Sequence, residues 1–326
     1  MNDSPVPLEA PPCPICGGDT HRTVMRGARD QIWRKEGVFQ LQRCEGCDLV
    51  TTRPRPGPDH IGYYYEGTYS GEGADGMRQF QTESWLGRLI SRYRLAVIGR
   101  AHTLGPGDHV LDVGCSYGGF LRAAREASGC RTSGIDMDEG SVSGAVDQET
   151  TDYRAGRLVD ASFPAGEYSV VTFFESLEHH SHPIEALRAA HELLRPGGHV
   201  VVEVPNFGGF WRRVFRTAWL PLLIPQHLFH FTPKTLRRAL MTAGFERVER
   251  QQTMFYPLEG VASLGIWLGR ILRSPPPGSP PSWRTPFDLT LFLVLVALYF
   301  VVEIPSQALL RLTGHAGHQI LVARKG

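Results

Sequence analysis

The stretch from Asp112 to Gly118 contains residues whose types and spacing could bind a nucleoside. Gly114 and Gly118 can adopt a positive φ and let a ligand approach the backbone closely. Asp136 lies 22 residues beyond Gly114, where a carboxylate can accept hydrogen bonds from both hydroxyls of a ribose. A dinucleotide loop needs glycine at its middle position, which is Ser116 here, and Asp112 would repel a diphosphate but attract a cation. The pattern therefore favours a nucleoside that carries an amino group and a sulfonium over a dinucleotide.

Four cysteines in the first fifty residues have the spacing of a structural metal site. They form two C-x-x-C pairs, and 27 residues separate the pairs. Four thiolates complete a tetrahedral Zn²⁺ shell and leave no open position for a substrate. The pattern predicts a structural zinc ribbon, and a redox dithiol pair is the alternative. The predicted ligands are Cys13, Cys16, Cys44 and Cys47.

Alternating apolar and amphipathic segments indicate the elements that must position the nucleoside-binding residues. Residues 109–113 and 168–174 are typical of buried strands, and residues 184–194 and 235–243 of amphipathic helices. Strands that alternate with helices form a parallel sheet with helices on both faces. We therefore expect an α/β fold with a Rossmann-like, doubly wound, mostly parallel sheet that binds ligands at the carboxyl ends of its strands.

The segment 110–120 resembles the first motif of the class I S-adenosylmethionine (SAM)-dependent methyltransferases, a strand followed by D-x-G-x-G-x-G, with Ser116 in place of the middle glycine. The acidic–histidine pair at 178–179 and the sequence R-P-G-G at 195–198 are also similar to that group. The resemblance implies a seven-stranded sheet of the methyltransferase type, SAM as the cofactor, and a zinc ribbon that some members carry before the catalytic domain. The candidate cofactor contacts are Asp112, Gly114, Cys115, Ser116, Gly118, Asp136, Met137, Leu158 and Glu175.

Two histidines are candidates for a base that would assist methyl transfer to oxygen. Displacement at the methyl carbon needs alignment more than acid–base help, yet an oxygen nucleophile gains from losing its proton. His179 follows the strand at 168–174, and His227 lies in the sequence Q-H-L-F-H-F. For each histidine, a structural role is the alternative. Related enzymes that methylate amide or adenine nitrogens carry N-P-P-aromatic after the fourth strand, whereas this chain has F-E-S-L, which favours an O- or C-acceptor.

We expect a SAM-dependent methyltransferase that acts on a small-molecule acceptor or on one linked to a lipid or sugar. Two alternatives are a non-catalytic zinc-ribbon scaffold with a decayed SAM site and a methyltransferase for RNA or protein. The net charge of +1 gives no general attraction to nucleic acid, so no nucleic-acid partner is expected. The first residues are polar and proline-rich without a secretory signal pattern, which favours a cytoplasmic protein. The sequence leaves the oligomeric state open.

The chain is predicted to have four parts, with a helical, apolar insertion before the last strand. The parts are a zinc ribbon (1–57), a linker and helical cover (58–105), the SAM-binding domain (106–253 and 314–326) and the insertion (254–313). The uncharged run 289–302 is shorter than the roughly 20 residues of a membrane-spanning helix. Segments 210–224 and 287–304 could contact a membrane surface, and a lid or a dimer contact is the alternative.

Overall fold

The computed structural model describes residues 4–66, 72–254, 259–272, 294 and 297–326. The chain forms two compact units, each assembled from several parts of the sequence. Unit 1 comprises residues 1–64, 205–235 and 252–319. Unit 2 comprises residues 65–204, 236–251 and 320–326. Residues 205–235 thus belong to the same unit as the cysteine pairs, and the boundaries of the four predicted parts stay a prediction.

The described elements follow one another along both units. The strands are β1 (Leu8–Glu9), β2 (His21–Ala28), β3 (Phe39–Cys44), β4 (Val50–Thr52), β5 (Arg55–Pro56), β6 (His109–Val113), β7 (Arg131–Asp136), β8 (Thr151–Ala155), β9 (Tyr168–Phe174), β10 (Leu194–Pro205), β11 (Phe229–His230), β12 (Arg247–Met254) and β13 (His318–Arg324). The α-helices are α1 (Glu72–Thr82), α2 (Trp85–Ile98), α3 (Gly119–Ser128), α4 (Glu139–Ser143), α5 (Pro183–Leu193), α6 (Phe210–Phe215), α7 (Pro233–Thr242), α8 (Glu259–Leu272) and α9 (Ile304–Leu312).

The main feature of unit 2 is a seven-stranded sheet with the order β12-β13-β10-β9-β6-β7-β8. Its centre is parallel, because β6 pairs with β7 and β9, β9 with β10, and β7 with β8. β9 is buried along its whole length, as a strand in the middle of a helix-covered parallel sheet should be. The predicted α/β fold of the methyltransferase type is confirmed. Since parallel strands point the same way, the carboxyl ends of β6, β7 and β9 lie along one edge of this sheet.

Glycine and proline set the helix boundaries around this sheet. α3 begins directly after Gly118 (φ +77°) and ends at Gly129 (φ +70°), which adopts the left-handed conformation that helix ends favour. α5 begins at Pro183, whose missing N–H costs nothing in the first turn of a helix. Gly118 therefore marks the end of the turn that follows β6, and Pro183 marks the start of the helix that follows β9.

Unit 1 contains a four-stranded sheet with the order β11-β4-β3-β2, whose edge strand comes from a distant part of the chain. Phe229 pairs with Thr51 and His230 with Val50, so β11 extends the sheet that β2, β3 and β4 begin. The neighbouring Thr52 hydroxyl donates a hydrogen bond of 2.8 Å to the carbonyl of residue 227. The zinc-ribbon segment and residues 205–235 therefore share one sheet.

Segment 210–224, the possible membrane contact, is α-helical only in its first part. α6 ends at Phe215, because Arg216 has a φ of +51°, and short 3₁₀ turns follow. Trp219 is fully buried in the core of unit 1 and does not extend an outer apolar stripe. Burial of so large an indole is strongly favourable, which explains why the chain turns inward here. Phe210 and Val214 remain exposed, with 43% and 50% of their surface accessible.

The structure describes only part of the predicted insertion (254–313). α8 begins where the Glu303 carboxylate accepts hydrogen bonds from the backbone N–H groups of Gly260 (2.7 Å) and Val261 (2.8 Å). The proline-rich stretch 274–281 and half of the predicted segment 287–304 lie outside the described residues. Among the residues that are described, no helix has both the length and the apolar character needed to cross a membrane.

Candidate functional site

The turn between β6 and α3 is held in a tight left-handed conformation. Gly114 (φ +83°), Ser116 (φ +47°) and Gly118 (φ +77°) all adopt a backbone conformation that favours glycine. A Cβ atom on Gly114 would clash with Ser176, and one on Gly118 would clash with the Tyr153 hydroxyl. The Ser116 Oγ is buried and has no hydrogen-bond partner among the described residues. The turn therefore combines close-packed backbone with a buried hydroxyl that a ligand could bond.

Asp136 ends β7 beside this turn. Its carboxylate accepts hydrogen bonds from the backbone N–H of Ser116 (2.8 Å) and of Asp138 (3.0 Å). A carboxylate offers about four lone-pair positions, so two remain for the hydroxyls of a ribose. Burial raises the pKa of Asp136, and the two backbone N–H groups oppose that shift. The adjacent Met137 is 68% exposed and presents an apolar side chain next to the carboxylate. This donor and acceptor set fits a nucleoside.

Asp112 lies inside the sheet near the end of β6. The Thr172 hydroxyl donates a hydrogen bond of 2.6 Å to its carboxylate. Burial raises the pKa of Asp112 to about 6, although Thr172 and the positive charge of Arg94 both act to lower it. At neutral pH the carboxylate is therefore mostly ionised, and an ammonium group would stabilise it further.

Arg94 is a functional residue that sequence reasoning missed. It lies on α2 and binds the Glu203 carboxylate through Nε–Oε2 (2.8 Å) and Nη2–Oε1 (3.3 Å). Its guanidinium also lies 4.4 Å from the centre of the Phe174 ring. Burial acts to lower the pKa of Arg94, but Glu203, Glu175 and Asp112 raise it overall, so the guanidinium stays charged among these carboxylates. No motif surrounds Arg94 in the sequence, and the spacing of the arginines in α2 does not distinguish it.

Two further carboxyl groups follow β9. Glu175 has a φ of +55°, and its backbone N–H donates to the carbonyl of Glu203 at 2.9 Å. Burial raises the pKa of Glu175 well above its usual range, and the charge of Glu203 adds to the shift. Burial likewise raises the pKa of Glu178, with Glu175 as the next cause. Burial therefore favours the protonated form of both carboxyl groups.

His179 lies directly after this pair, at the end of the same short turn. Its Nδ1 is 2.7 Å from the Tyr65 hydroxyl, and either atom can be the donor, depending on the tautomer. Burial and the charge of His179 lower the pKa of the next residue, His180, to about 4, so His180 is neutral. The contact with the Tyr65 hydroxyl therefore holds the His179 ring in place.

His227, the other predicted base, belongs to unit 1. Its Nδ1 lies 2.9 Å from the carbonyl oxygen of Pro221. Because a carbonyl can only accept, Nδ1 carries a proton. The imidazole is buried, and a proton on Nδ1 is what a base acting through Nε2 requires.

The remaining predicted cofactor contacts have backbone or apolar roles in unit 2. Cys115 is buried, its N–H donates to the carbonyl of Ile135 (3.1 Å), and burial raises the pKa of its thiol well above the usual value. Leu158 is buried in a short 3₁₀ turn that follows β8. The N–H of Gly156, which precedes that turn, donates to the carbonyl of Asp136 (2.8 Å). Leu158 thus follows a segment that is fixed to the end of β7.

The four N-terminal cysteines come together in unit 1. All four Sγ atoms lie within 4.8 Å of one another, with Cys13–Cys47 at 3.3 Å and Cys16–Cys44 at 3.5 Å. A tetrahedral ZnS₄ site with bonds of about 2.3 Å has sulfur–sulfur edges of about 3.8 Å, close to these separations. Both of these contacts join a cysteine of one C-x-x-C pair to a cysteine of the other, as a shared metal site requires, whereas a redox dithiol would join the cysteines of one pair. The donor set therefore fits a structural zinc ion.

Comparisons with known proteins relate the chain to one enzyme class. A family model described as a methyltransferase domain matches residues 82–250. A ubiquinone biosynthesis O-methyltransferase from Aromatoleum aromaticum is 32% identical over 171 residues, which cover 49% of this chain and 73% of that protein. The protein of the same name from Marinobacter nauticus is 32% identical over 173 residues, covering 49% and 72%.

A solved structure resembles the fold over a larger part of the chain. It is phosphoethanolamine N-methyltransferase 2 from Haemonchus contortus, in complex with phosphomonomethylethanolamine and S-adenosylhomocysteine. The TM-score is 0.55 at 14% identity, and the match covers 90% of this chain and 64% of that chain. At this identity the likeness concerns the fold alone.

Proposed function

Since this chain belongs to the family of SAM-dependent methyltransferases, we propose that it methylates an oxygen atom of a small-molecule acceptor. The observation that carries the proposal is the pairing of Asp136 with the N–H of Ser116 in the glycine turn, which together form a nucleoside-binding edge. Relatives that are named O-methyltransferases, at 32% identity, support oxygen over nitrogen as the acceptor atom.

The cofactor is bound by residues at the carboxyl ends of β6 and β7. Asp136 accepts hydrogen bonds from the ribose hydroxyls, and the Ser116 hydroxyl bonds the ligand that covers the turn. Met137 and Leu158 contact the adenine, while the Asp112 carboxylate binds the amino group of the methionine part. SAM supplies an electrophilic methyl group on its sulfonium. Arg94 fixes the Glu203 carboxylate through its ion pair, which keeps the acidic side of the site ordered.

His179 accepts the proton that the acceptor hydroxyl loses. For its Nε2 to act as the base, Nδ1 must carry a proton and donate it to the Tyr65 oxygen, which lies 2.7 Å away. His227 is the second candidate, because its Nδ1–H is committed to the carbonyl of Pro221. Alignment of the acceptor contributes more than the base, since displacement at carbon needs a linear approach.

The proposed reaction is tested with SAM that carries a ¹³C-labelled methyl group. Purified protein is incubated with small-molecule pools that bear hydroxyl groups, amino groups or acidic carbon atoms, and products are read by NMR. The carbon shift of a methyl ether is expected from the hydroxyl pool. Labelled N-methyl products would instead contradict an oxygen acceptor. A folded chain that fails to bind SAM would favour the non-catalytic scaffold.

Tyr65→Phe separates a positioning role for this tyrosine from a structural one. Loss of the hydroxyl leaves His179 without its 2.7 Å contact, so we expect kcat to fall by about tenfold with little change in KM for SAM. The pH profile of kcat should also shift, because the tautomer of His179 is no longer held. Tyr63→Phe is the matched control in the same tyrosine run and should leave both parameters unchanged. Equal effects of the two substitutions would contradict the role of Tyr65.

The cysteine cluster holds one structural zinc ion per chain. The fit of the four Sγ separations to a ZnS₄ tetrahedron supports this assignment. Elemental analysis of protein purified without chelator should give one zinc per chain, and Cys47→Ser should lose it. Retention of metal by that variant would contradict a four-cysteine site.

The protein works in the cytoplasm and contacts a membrane surface through segments 210–224 and 287–304. Support comes from exposed apolar side chains of unit 1, which include Phe210, Val214 and, on α8, Trp267 (45% exposed). Flotation with liposomes tests the contact, and Val214→Asp should reduce it. Failure of the wild-type chain to float would leave the lid or dimer contact as the role of these residues.

A further inference from the structure

Two arginines lie side by side on one face of the four-stranded sheet in unit 1. Arg22 on β2 is the direct partner of Arg43 on β3. Arg43 in turn pairs with Val50 on β4, and Val50 pairs with His230 on β11. Directly paired residues of an antiparallel sheet point to the same face, so these side chains form one row across the sheet. Like charges in direct opposition destabilise a sheet, which makes the Arg22–Arg43 pair unusual.

Arg212 of α6 brings another positive charge to this row. Its Nε donates to the carbonyl of Phe207 (2.8 Å), and its guanidinium lies 4.3 Å from the centre of the Phe207 ring. The Phe207 ring is itself 5.5 Å from the ring of His230. Burial and the charge of Arg212 lower the pKa of His230 to about 3, so this histidine is neutral and adds no charge. Arg212 is thus held near the row by an aromatic ring and a backbone carbonyl.

The positive charges of this face exceed the carboxylates available to them. Asp48 is 4.0 Å from Arg43 and is already bound by Lys234 at 2.7 Å. The Arg43 Nε is buried and makes no hydrogen bond with the described part of the chain. Within that part, no ion pair joins a carboxylate to the other arginines of the cluster, which are Arg22, Arg212, Arg213 and Arg216.

The pKa of Arg212 agrees with its position near the other arginines. Burial and the charges of Arg213, Arg43 and Arg216 lower the pKa of Arg212 to about 10. After burial, which is the largest cause, the charges of three further arginines thus act on Arg212. An arrangement of this kind is costly in the protein alone and becomes favourable when an anion binds between the guanidinium groups.

We propose that the arginine face of unit 1, formed by Arg22, Arg43, Arg212, Arg213 and Arg216, binds a phosphate or diphosphate group. Guanidinium groups suit this ligand, because their planar forks bond phosphate oxygens in pairs and keep their charge at all physiological pH values. The phosphate belongs either to a soluble phosphate ester or to the head group of an anionic lipid. The site is separate from SAM binding, which the proposed function assigns to residues of unit 2.

Titration calorimetry with inorganic pyrophosphate tests the site directly. We expect the wild-type chain to bind it, with an affinity that falls as salt is added, and Arg43→Gln and Arg212→Gln to weaken binding by at least about tenfold each. Arg100→Gln, an exposed arginine outside the cluster, is the matched control and should bind like wild type. Cosedimentation with phosphatidylglycerol and phosphatidylcholine vesicles forms the second arm. SAM titration and zinc analysis of each variant confirm that the fold and the cysteine site are intact.

The outcomes distinguish a soluble phosphate ester from a lipid head group, and they distinguish the phosphate site from the proposed methyltransferase function. Binding of pyrophosphate that depends on Arg43 and Arg212 supports the site for a soluble phosphate ester. Binding of phosphatidylglycerol vesicles alone, with the same dependence, supports it for a lipid head group. Absence of both, or binding that the two substitutions leave unchanged, overturns the site. A chain that binds SAM normally but neither phosphate probe would refute this site and leave the methyltransferase proposal standing.

Discussion

Replacing Asp136 by asparagine should separate cofactor binding from folding. In the folded chain the carboxylate accepts two backbone N–H groups, from Ser116 and Asp138. Burial raises the pKa of Asp136 above its unfolded value, so the folded state holds its proton more tightly and stability falls as pH rises through the folded-state pKa. Near neutral pH the ionised group therefore costs folding free energy, which a neutral asparagine avoids.

The expected effect on stability is small and the effect on SAM is large. Asparagine removes the buried charge, which stabilises the folded chain. Its NH₂ group faces one of the two backbone N–H donors, which destabilises the folded chain. These two effects on the free energy of unfolding offset to within about 1 kcal/mol. A hydrogen bond to a charged group contributes about 1.5–3 kcal/mol. Weakening two such bonds to the ribose by about 3 kcal/mol in total raises the Kd for SAM about a hundredfold.

Calorimetry with SAM and thermal unfolding without SAM measure the two quantities. Asp152→Asn is the matched control, since Asp152 is an exposed residue of β8 that pairs with Arg154 (2.8 Å). It should leave the Kd unchanged. A Kd within threefold of wild type for Asp136→Asn would refute the assignment of Asp136 to the ribose. A large loss of stability in the same variant would show that its carboxylate has a structural role.

Three further predictions follow from the same geometry. Gly118→Ala and Gly166→Ala both place a side chain at a positive φ, which costs about 1–2 kcal/mol. Only the new Cβ atom at position 118 also meets the Tyr153 hydroxyl. Gly118→Ala should therefore lower the unfolding temperature more than Gly166→Ala does, and it should weaken SAM binding. Gly118→Ala combined with Tyr153→Phe should recover part of that loss, and no recovery would contradict the steric cause. SAM affinity should fall as pH drops through about 6, where Asp112 gains a proton, and Asp112→Asn should remove this pH dependence in calorimetry. Removal of zinc with a chelator should lower the unfolding temperature of unit 1, as measured by scanning calorimetry. Identical calorimetric traces with and without chelator would contradict a metal bound by the cysteines.

The features that sequence predicts well are local ones. The glycine turn, Asp136 and the two cysteine pairs each depend on residues a few positions apart, or on a spacing that one strand and one helix determine. The alternation of strands and helices likewise identifies the sheet, because central strands such as β9 are mostly apolar. Local patterns were therefore sufficient for the fold class, while the roles of the candidate cofactor residues stay a prediction.

The features that sequence misses are contacts between distant segments. Arg94 and Glu203 are 109 residues apart, and the Tyr65–His179 pair spans 114 residues. A run of tyrosines is visible in the sequence, but nothing in it points to a particular histidine. Trp219 shows a third limit, because its spacing from Phe210 suits an amphipathic helix while its size favours burial in the core. Only the folded chain shows that Trp219 is buried in the core and is not part of an amphipathic helix.

The pairing of β11 with β4 bears on how such a protein can be taken apart and recombined. An N-terminal fragment cut at residue 57 would leave Val50–Thr52 as an open edge, because the strand that covers it comes from residues 229–230. Uncovered edges recruit strands from other molecules, so the excised fragment should aggregate or exchange strands. The segment that carries the four cysteines is therefore not a transferable module by itself. A chimaera that exchanges it between enzymes would have to carry residues 205–235 with it.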